Sequence, residues 1–279
     1  MAFFLMGKKI YIVIVLYKQK WVDIPSRDCI ENLVHRDAVE MLIYDNSPEE
    51  QTVSFFEEQS VTYIHDSMNP GLASAYNQAL SFAKDFEWLV LLDQDTKLSS
   101  SFFYEIAKAQ PTDQVVSLVP QILSGNRQIS PVFSNQYVSK KSIYPKEGSY
   151  SEIMAINSAS VLRVSFLKEI GGFNEEFPLD FLDHWLYWKI NDVGKKVQIL
   201  PVKIQHSLSV LDYTTLKFTR YQSILAAERL FYGEYAVTLK KQHRRHLLKR
   251  ALKQFLTVTN RRFWRCTIIE WWHLIGGKR

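Results

Sequence analysis

An α/β fold, built on a parallel sheet with helices on both faces, is predicted by two features of this 279-residue chain. Strand and helix signals alternate through the first hundred residues, the mark of successive βαβ units. The fourth strand candidate then ends in two carboxylates, Asp93 and Asp95, within Glu87–Leu98. Side chains two apart in extended backbone project to one face. The pair therefore converges just past a strand's carboxyl end, where open α/β sheets bind ligands. Two such oxygen donors suit a hard divalent cation shared with substrate phosphates; the alternative is a polar turn after a core strand.

Taken in order, Lys9–Tyr17 reads as a strand and Ser26–Leu33 as a short helix introduced by Pro25. Val39–Tyr44 is a second strand, running into Asp45-Asn46-Ser47-Pro48. A polar helix is expected over Glu49–Gln59 and a third strand over Val61–His65. Asn69 is placed to cap the next helix, with Pro70 at its first position. That helix runs to about Lys84 and leads into the strand Trp88–Leu92. Thr112–Tyr150 is less regular, with short apolar bursts at Val115–Val119 and Ile129–Phe133. A helix near Ser165–Ile170 closes at Gly171-Gly172, and another over Phe181–Val193 ends at Gly194. Lys196–Val202 is a further strand, and from Thr214 the pattern is helical.

Composition narrows the class. Hydrophobic residues make up 47% and charged residues 23%, ordinary values for a globular protein. Cys29 and Cys266 lie too far apart in sequence to suggest a disulfide framework or a zinc site, so a reducing cytoplasm is expected. Ile10–Tyr17 is short for a signal peptide and is followed by Lys18 and Lys20 rather than a cleavage site. No apolar run reaches transmembrane length. The formal charge of +5 conceals an asymmetry: residues 1–234 carry −6 and residues 235–279 carry +11, with Glu270 the single acid of that tail.

The motifs form an ordered series. Val15-Leu16-Tyr17 ends the first strand and Tyr44-Asp45-Asn46 the second. Asn69-Pro70-Gly71-Leu72-Ala73-Ser74-Ala75-Tyr76-Asn77 follows, then Leu91-Leu92-Asp93-Gln94-Asp95-Thr96. Ile156-Asn157-Ser158-Ala159-Ser160 comes next, then the stretch from Gly171 to Val197 containing Leu182-Asp183-His184, and His206. The series resembles the large family 2 of inverting glycosyltransferases, over about residues 9–232. The Asp-Gln-Asp spelling and the Phe177–Asp183 stretch look most like its bacterial rhamnosyltransferase branch.

That resemblance implies a GT-A fold, Rossmann-like with a mostly parallel central sheet, over residues 1–212. Its nucleotide-sugar half would cover about 1–100 and its acceptor half about 101–212. A C-terminal helical extension would occupy 213–279. The resemblance also assigns roles. Tyr17 would stack on the nucleotide base, and Asp45 would accept a hydrogen bond from the pyrimidine imide. Asn69, Gly71 and Asn77 would line the nucleotide cleft. Asp93 would lie near the ribose and metal, and Asp95 would ligate Mg²⁺ or Mn²⁺, with His206 helping to hold the metal or diphosphate. Asp183 would be the catalytic base, although Asp180 or Asp183 could instead serve as a helix N-cap. The donor implied is dTDP-β-L-rhamnose; UDP-glucose, UDP-galactose and UDP-galactofuranose are used by related branches. Four departures from the family pattern are Leu16, Lys18, Trp185 and Lys189, and the glycine common after the family histidine is missing from Ser207-Leu208-Ser209.

The tail has its own signature. Leu247, Leu248, Ala251, Leu252, Phe255 and Leu256 recur at helical spacing, with Arg244, Arg245, Lys249, Arg250 and Lys253 opposite. Arg261, Arg262, Trp264, Arg265, Trp271 and Trp272 follow. Basic residues with tryptophans suit a helix lying on an anionic membrane, here the inner face of the bacterial cell membrane, where a saccharide or lipid-linked saccharide acceptor for surface polysaccharide would be presented. Packing on the catalytic domain and a homo-oligomer interface are the alternatives; the acidic body argues against nucleic acid. Two other classes compete for the whole chain. Asp93-Gln94-Asp95-Thr96 fits the signature of haloacid-dehalogenase-type phosphatases, with Asp93 as nucleophile, although three strands precede it here. A non-catalytic sugar-binding scaffold is the other.

Overall fold

The computed structural model describes residues 10–134, 143–206, 213 and 216–275. The chain forms two compact units, one of Met1–Phe133 and Ile143–Ser207, the other of Ser134–Ser142 and Leu208–Arg279.

The first unit is organised by a mixed sheet. Its strands are β1 (Ile10–Leu16), β2 (Glu40–Asp45), β3 (Val61–His65), β4 (Trp88–Asp93), β5 (Thr96–Lys97), β6 (Val115–Ser124), β7 (Arg127–Ser130), β9 (Gly148–Tyr150), β11 (Ser160–Arg163) and β12 (Lys196–His206). β8 (Val132–Phe133) and β10 (Ile153–Met154) form a separate ribbon. Helices α1 (Arg27–Val34), α2 (Leu72–Phe82), α3 (Ser100–Lys108), α4 (Val164–Glu169) and α5 (Leu182–Asp192) lie between strands in sequence. Every residue of β1 is buried, so it shows no polar alternation, as expected of a strand covered on both faces.

Strand order is β3-β2-β1-β4-β11-β6-β12-β5. The chain builds outward from β1 through β2 to β3, then returns to place β4 on the other side of β1. That reversal is a topological switch point, and it opens a crevice at the strands' carboxyl ends. All four strands are parallel, and in register Leu16 lies beside Asp45, Asp45 beside His65, and Val15 beside Asp93. Beyond β4 the directions mix: β11 runs antiparallel to both β4 and β6, whereas β6 and β12 are parallel.

Three local expectations are corrected. Glu49–Gln59 is not a helix; it contains only a short 3₁₀ turn at Ser54–Glu57. Gln51 holds the approach to that turn open: its backbone N–H donates to the Tyr63 hydroxyl at 3.0 Å, and its Oε1 accepts from the Trp21 N–H at 2.9 Å. The helix expected after Asn69 begins at Leu72, with Gly71 rather than Asn69 as its cap. The irregular middle contains a ten-residue strand, β6, paired with β11, β12 and β7. Its pattern is obscured because Pro120 and Pro201 fall where the β6–β12 register shifts, between Ile199 and Lys203. Neither proline can donate to the ladder, so both suit an irregularity.

The second unit packs α6 (Phe218–Leu230), α7 (Lys240–Thr257) and α8 (Arg262–Ile275) around Tyr221, Leu225, Leu247, Phe263 and Leu274. A closed polar triangle fixes their register. The Gln254 amide donates to the Tyr221 hydroxyl at 2.7 Å, Thr267 Oγ1 donates to Gln254 Oε1 at 2.7 Å, and the two hydroxyls lie 2.5 Å apart. Arg250 also grips buried Glu228 through two bonds of 2.8 Å, the fork geometry that makes such pairs strong.

His243 adds a pH dependence to this unit. Its ring is fully buried, stacked 4.1 Å from Tyr232, with Nε2 4.0 Å from a Glu228 oxygen. Burial, then the charges of Arg250 and His246, push its pKa down from 6.5 to about 3. The unfolded chain therefore binds more protons between those values, and the contribution to stability is complete above 6.5 and lost as pH falls towards 3. The melting temperature of the full chain should fall over that window. His243→Phe, which keeps the stack on Tyr232, should flatten the fall; an unchanged slope would place the effect elsewhere.

Candidate active site

The strand registers bring Tyr17, Asp45 and Asp93 to one edge of the parallel half-sheet. Tyr17, just beyond β1, is 43% exposed, which leaves its ring available for stacking; Lys18 Nζ lies 5.1 Å from the ring centre. Gln94, the middle residue of the Asp-Gln-Asp motif, ties this point to β4. Its Oε1 accepts from the Tyr17 N–H at 2.7 Å and its Nε2 donates to the Tyr17 carbonyl at 3.3 Å. The switch point is thus closed by one carboxamide, a role that sequence reasoning missed because it read only the flanking acids.

Asp45 is fully buried, and its carboxylate accepts from the Ser47 N–H at 2.9 Å, Gln51 Nε2 at 2.8 Å and the Tyr63 hydroxyl at 3.0 Å. Burial and the Asp45 carboxylate raise the Tyr63 pKa to about 12, keeping that hydroxyl a donor. Asp45 organises the β2 end and the segment around Gln51. Gln51 and Tyr63 both bond Oδ2, while Oδ1 accepts, among the described residues, only from Ser47 and keeps capacity for one more donor.

Asn69 is exposed, with a backbone φ of +49°, and its N–H donates to the Asp66 carbonyl at 3.1 Å. Gly71 adopts φ +103°, and a Cβ there would overlap the Pro178 carbonyl oxygen. That oxygen accepts from the N–H groups of Leu72 (2.6 Å) and Ala73 (3.3 Å), satisfying the first donors of α2. Asn77 ties α2 to the segment after α4. Its Nδ2 donates to the Phe173 carbonyl (2.9 Å) and to Glu175 (3.2 Å), and its Oδ1 accepts from the Phe173 N–H (2.7 Å). Both amide protons are committed, so the residue secures the 172–178 segment that leads to Asp183.

Asp183 sits in the first turn of α5, behind Phe181 in the left-handed region at φ +66°. Backbone strain of this kind persists where the surroundings over-determine it. The Asp183 side chain is a quarter exposed, and its Oδ1 accepts from the His184 N–H at 2.8 Å and lies 2.9 Å from His184 Nδ1. Burial opposes its ionisation, but the His184 ring and backbone N–H donors outweigh it and hold the carboxyl below its usual value. The neighbouring cap candidate, Asp180, precedes the helix by two residues.

Electrostatics bring the three acids together. Burial, then Asp95, then Asp183, push the Asp93 pKa up to about 7. Asp95 is exposed. Tyr76, fully buried on α2 with its ring 5.1 Å from Phe173, is raised by burial and by the same pair of charges, Asp93 and Asp183. Its hydroxyl has no hydrogen-bond partner among the described residues. Only its apolar helical position was visible in sequence. Thr96 hydrogen-bonds through its side chain to Ser158 and through its carbonyl to Ser26, anchoring the turn after Asp95.

A divalent cation fits this donor set. Among the described residues no three His, Cys, Asp or Glu side chains form a complete protein cage. One or two carboxylates completed by substrate oxygens is, however, the usual arrangement for a hard cation, and crowded like charges are relieved by one. His206 ends β12 with its backbone paired to Thr96; its side chain lies outside the described residues. A separate cavity of about 310 Å³, lined in part by Glu105, Glu147 and Lys203, contains none of the residues above.

The fold is thus an α/β protein with a switch point between β1 and β4 and acids just past the β4 end. The chain belongs to glycosyl transferase family 2, whose model matches residues 12–171. The match includes Asp93 and Asp95 and stops before Asp183. Solved structures share the fold. S. aureus TarS residues 1–349, in complex with UDP-GlcNAc, is 14% identical with a TM-score of 0.62, covering 96% of this chain and 81% of that one. A mannosyltransferase from Pyrobaculum calidifontis, with GDP-Man and Mn²⁺, is 13% identical with a TM-score of 0.54, covering 98% and 88%. GalNAc-T7, with UDP, GalNAc and Mn²⁺, is 16% identical with a TM-score of 0.57, covering 82% of this chain; the chain spans half of GalNAc-T7's length. No curated protein sequence matches significantly. Among the described residues no helix is long and apolar enough to cross a membrane.

The close approach of Gly71 to Pro178 is directly testable. Gly71→Ala meets both an unfavourable φ and an overlap with backbone, and should destabilise the chain by about 2 kcal/mol or more. Gly125→Ala, at φ +59° with open space around it, should cost about 1 kcal/mol. Equal losses in chemical denaturation would remove the Gly71–Pro178 contact from this account.

Proposed function

We propose that the chain is a metal-dependent inverting glycosyltransferase that moves a sugar, rhamnose from dTDP-β-L-rhamnose, to a saccharide or lipid-linked saccharide acceptor at the inner face of the cell membrane. The observation that carries the reading is Asp93 at the end of β4, in register beside Val15 of β1 and within reach of the charges of Asp95 and Asp183. Membership of family 2 supports glycosyl transfer, and structural relatives crystallised with UDP or GDP sugars and Mn²⁺ support a nucleotide-sugar donor and a divalent metal. The rhamnosyl donor is supported by the Asp93-Gln94-Asp95 spelling and the Phe177–Asp183 stretch. Family membership also accounts for a motif on the fourth strand, which the phosphatase alternative does not.

The roles proposed are these. Tyr17 offers an exposed ring to the base, held in place by Gln94. Asp95 would ligate Mg²⁺ or Mn²⁺, with His206 helping to hold the metal or diphosphate and Asp93 near the donor's ribose; the ion would offset the charge building on the departing diphosphate. Asp183, held ionised by His184, takes the proton of the acceptor hydroxyl as the acceptor oxygen bonds to the anomeric carbon and the bond to diphosphate breaks. A single displacement of this kind inverts the anomeric configuration.

Turnover of dTDP-rhamnose and of UDP-hexoses by the wild type and by Asp183→Asn tests the reading. Asp183→Asn should lower kcat by about 10²–10⁴-fold while leaving donor KM nearly unchanged. Turnover confined to UDP-hexoses would replace the donor. Full activity of the variant would remove Asp183 from the role of base.

A further inference from the structure

The structure divides the apolar stripe of α7. Leu247, Ala251 and Gln254 face the core of the second unit, each below 5% exposed. Leu248, Leu252, Phe255 and Leu256 face outward, at 46%, 61%, 48% and 71% exposure. The outward set is therefore not the back of a core face but a second apolar face. Arg245, Lys249 and Lys253 are exposed beside it. By helical spacing, Arg245, Leu248, Lys249, Leu252 and Leu256 share one side of the helix.

The following helix repeats the composition. On α8, exposed Arg265, Ile269 and Trp272 recur at i, i+4 and i+7. Between the helices, Arg261 covers the Phe255 ring at 5.2 Å. The single acid of residues 235–279, Glu270, is held by Arg229 at 3.1 Å and is 14% exposed. The outward surface of this segment is thus apolar groups among cations of one sign.

We infer that the outward face of α7, from Arg245 to Leu256, docks on an anionic lipid surface, with its leucines and Phe255 entering the headgroup boundary and its lysines and arginines meeting lipid phosphates. This deepens the membrane part of the reading above by naming the face that makes contact. Charge selects the occupant. A second copy packed on this face about a twofold axis would oppose cations to cations, whereas an anionic bilayer offers both negative charge and an apolar interior. Nucleic acid would meet the cations but would leave exposed leucines without a partner.

Sedimentation of the full chain with phosphatidylcholine vesicles containing phosphatidylglycerol, and with pure phosphatidylcholine vesicles, provides the test. Binding is expected to the anionic vesicles alone and to weaken with salt. Leu252→Asp with Leu256→Asp, both well exposed in the fold, should lower it by at least about tenfold without shifting the melting temperature. Equal binding to both vesicle types, no binding to either, or unchanged binding by the double variant would overturn the inference. So would self-association in solution, or binding to duplex DNA, that the same substitutions abolish. A thermal shift with nucleoside diphosphate and Mn²⁺ on the same samples reads the donor site separately, so failure of membrane docking and failure of the glycosyltransferase reading are told apart.

Discussion

Burial of the Asp93 carboxyl within reach of the charges of Asp95 and Asp183 is the constraint on which the candidate site depends. Burial, then the charges of Asp95 and Asp183, push the pKa of the Asp93 carboxyl up to about 7, while the His184 ring and backbone N–H donors hold Asp183 below its usual value. Such a cluster survives only if the backbone around it is held from several sides. The buried strands β1 and β4 fix the sheet edge, Gln94 binds Tyr17 to the acidic turn, and Thr96 anchors the turn's far end to Ser26 and Ser158. In the proposed function a divalent cation would offset this concentration of acid and bridge it to a diphosphate.

Asp183 comes from a region more than eighty residues after the acidic turn, yet the two are joined through α2. At its start, Gly71 lets the Pro178 carbonyl reach the first N–H groups of the helix; one turn on, Asn77 clamps Phe173 in both directions. The helix α2 thus positions the segment that leads to Asp183. A small change in the tilt of α2 would be felt by Asp183 and by the hydroxyl of Tyr76 together.

Much of this was legible in sequence. The strands β1, β2 and β4 carry continuous apolar runs, so their burial and their polar ends could be read, and Asp93 and Asp95 with them. Short-range pattern failed where long-range contacts decided local structure. Glu49–Gln59 has helix-compatible residues, but Gln51 is recruited by Trp21, Tyr63 and Asp45 from elsewhere in the sheet. Two prolines hide the length of β6 and its partner. In the tail, periodicity found an apolar stripe on α7 but could not divide it between the core and the outside, because that division depends on where α6 and α8 pack. The roles of Gln94 and Pro178 left no sequence signal, since one acts through a carboxamide between two acids and the other through a backbone carbonyl.

The central claim is that these carboxylates form a metal-dependent diphosphate site. Calorimetric titration of the wild-type chain and of Asp95→Ala with dTDP, in Mn²⁺ and in EDTA, tests it most directly. The account predicts that Mn²⁺ tightens binding to the wild type by at least about tenfold and that Asp95→Ala abolishes this gain. Equal affinity in Mn²⁺ and EDTA, or a gain that survives Asp95→Ala, would contradict it.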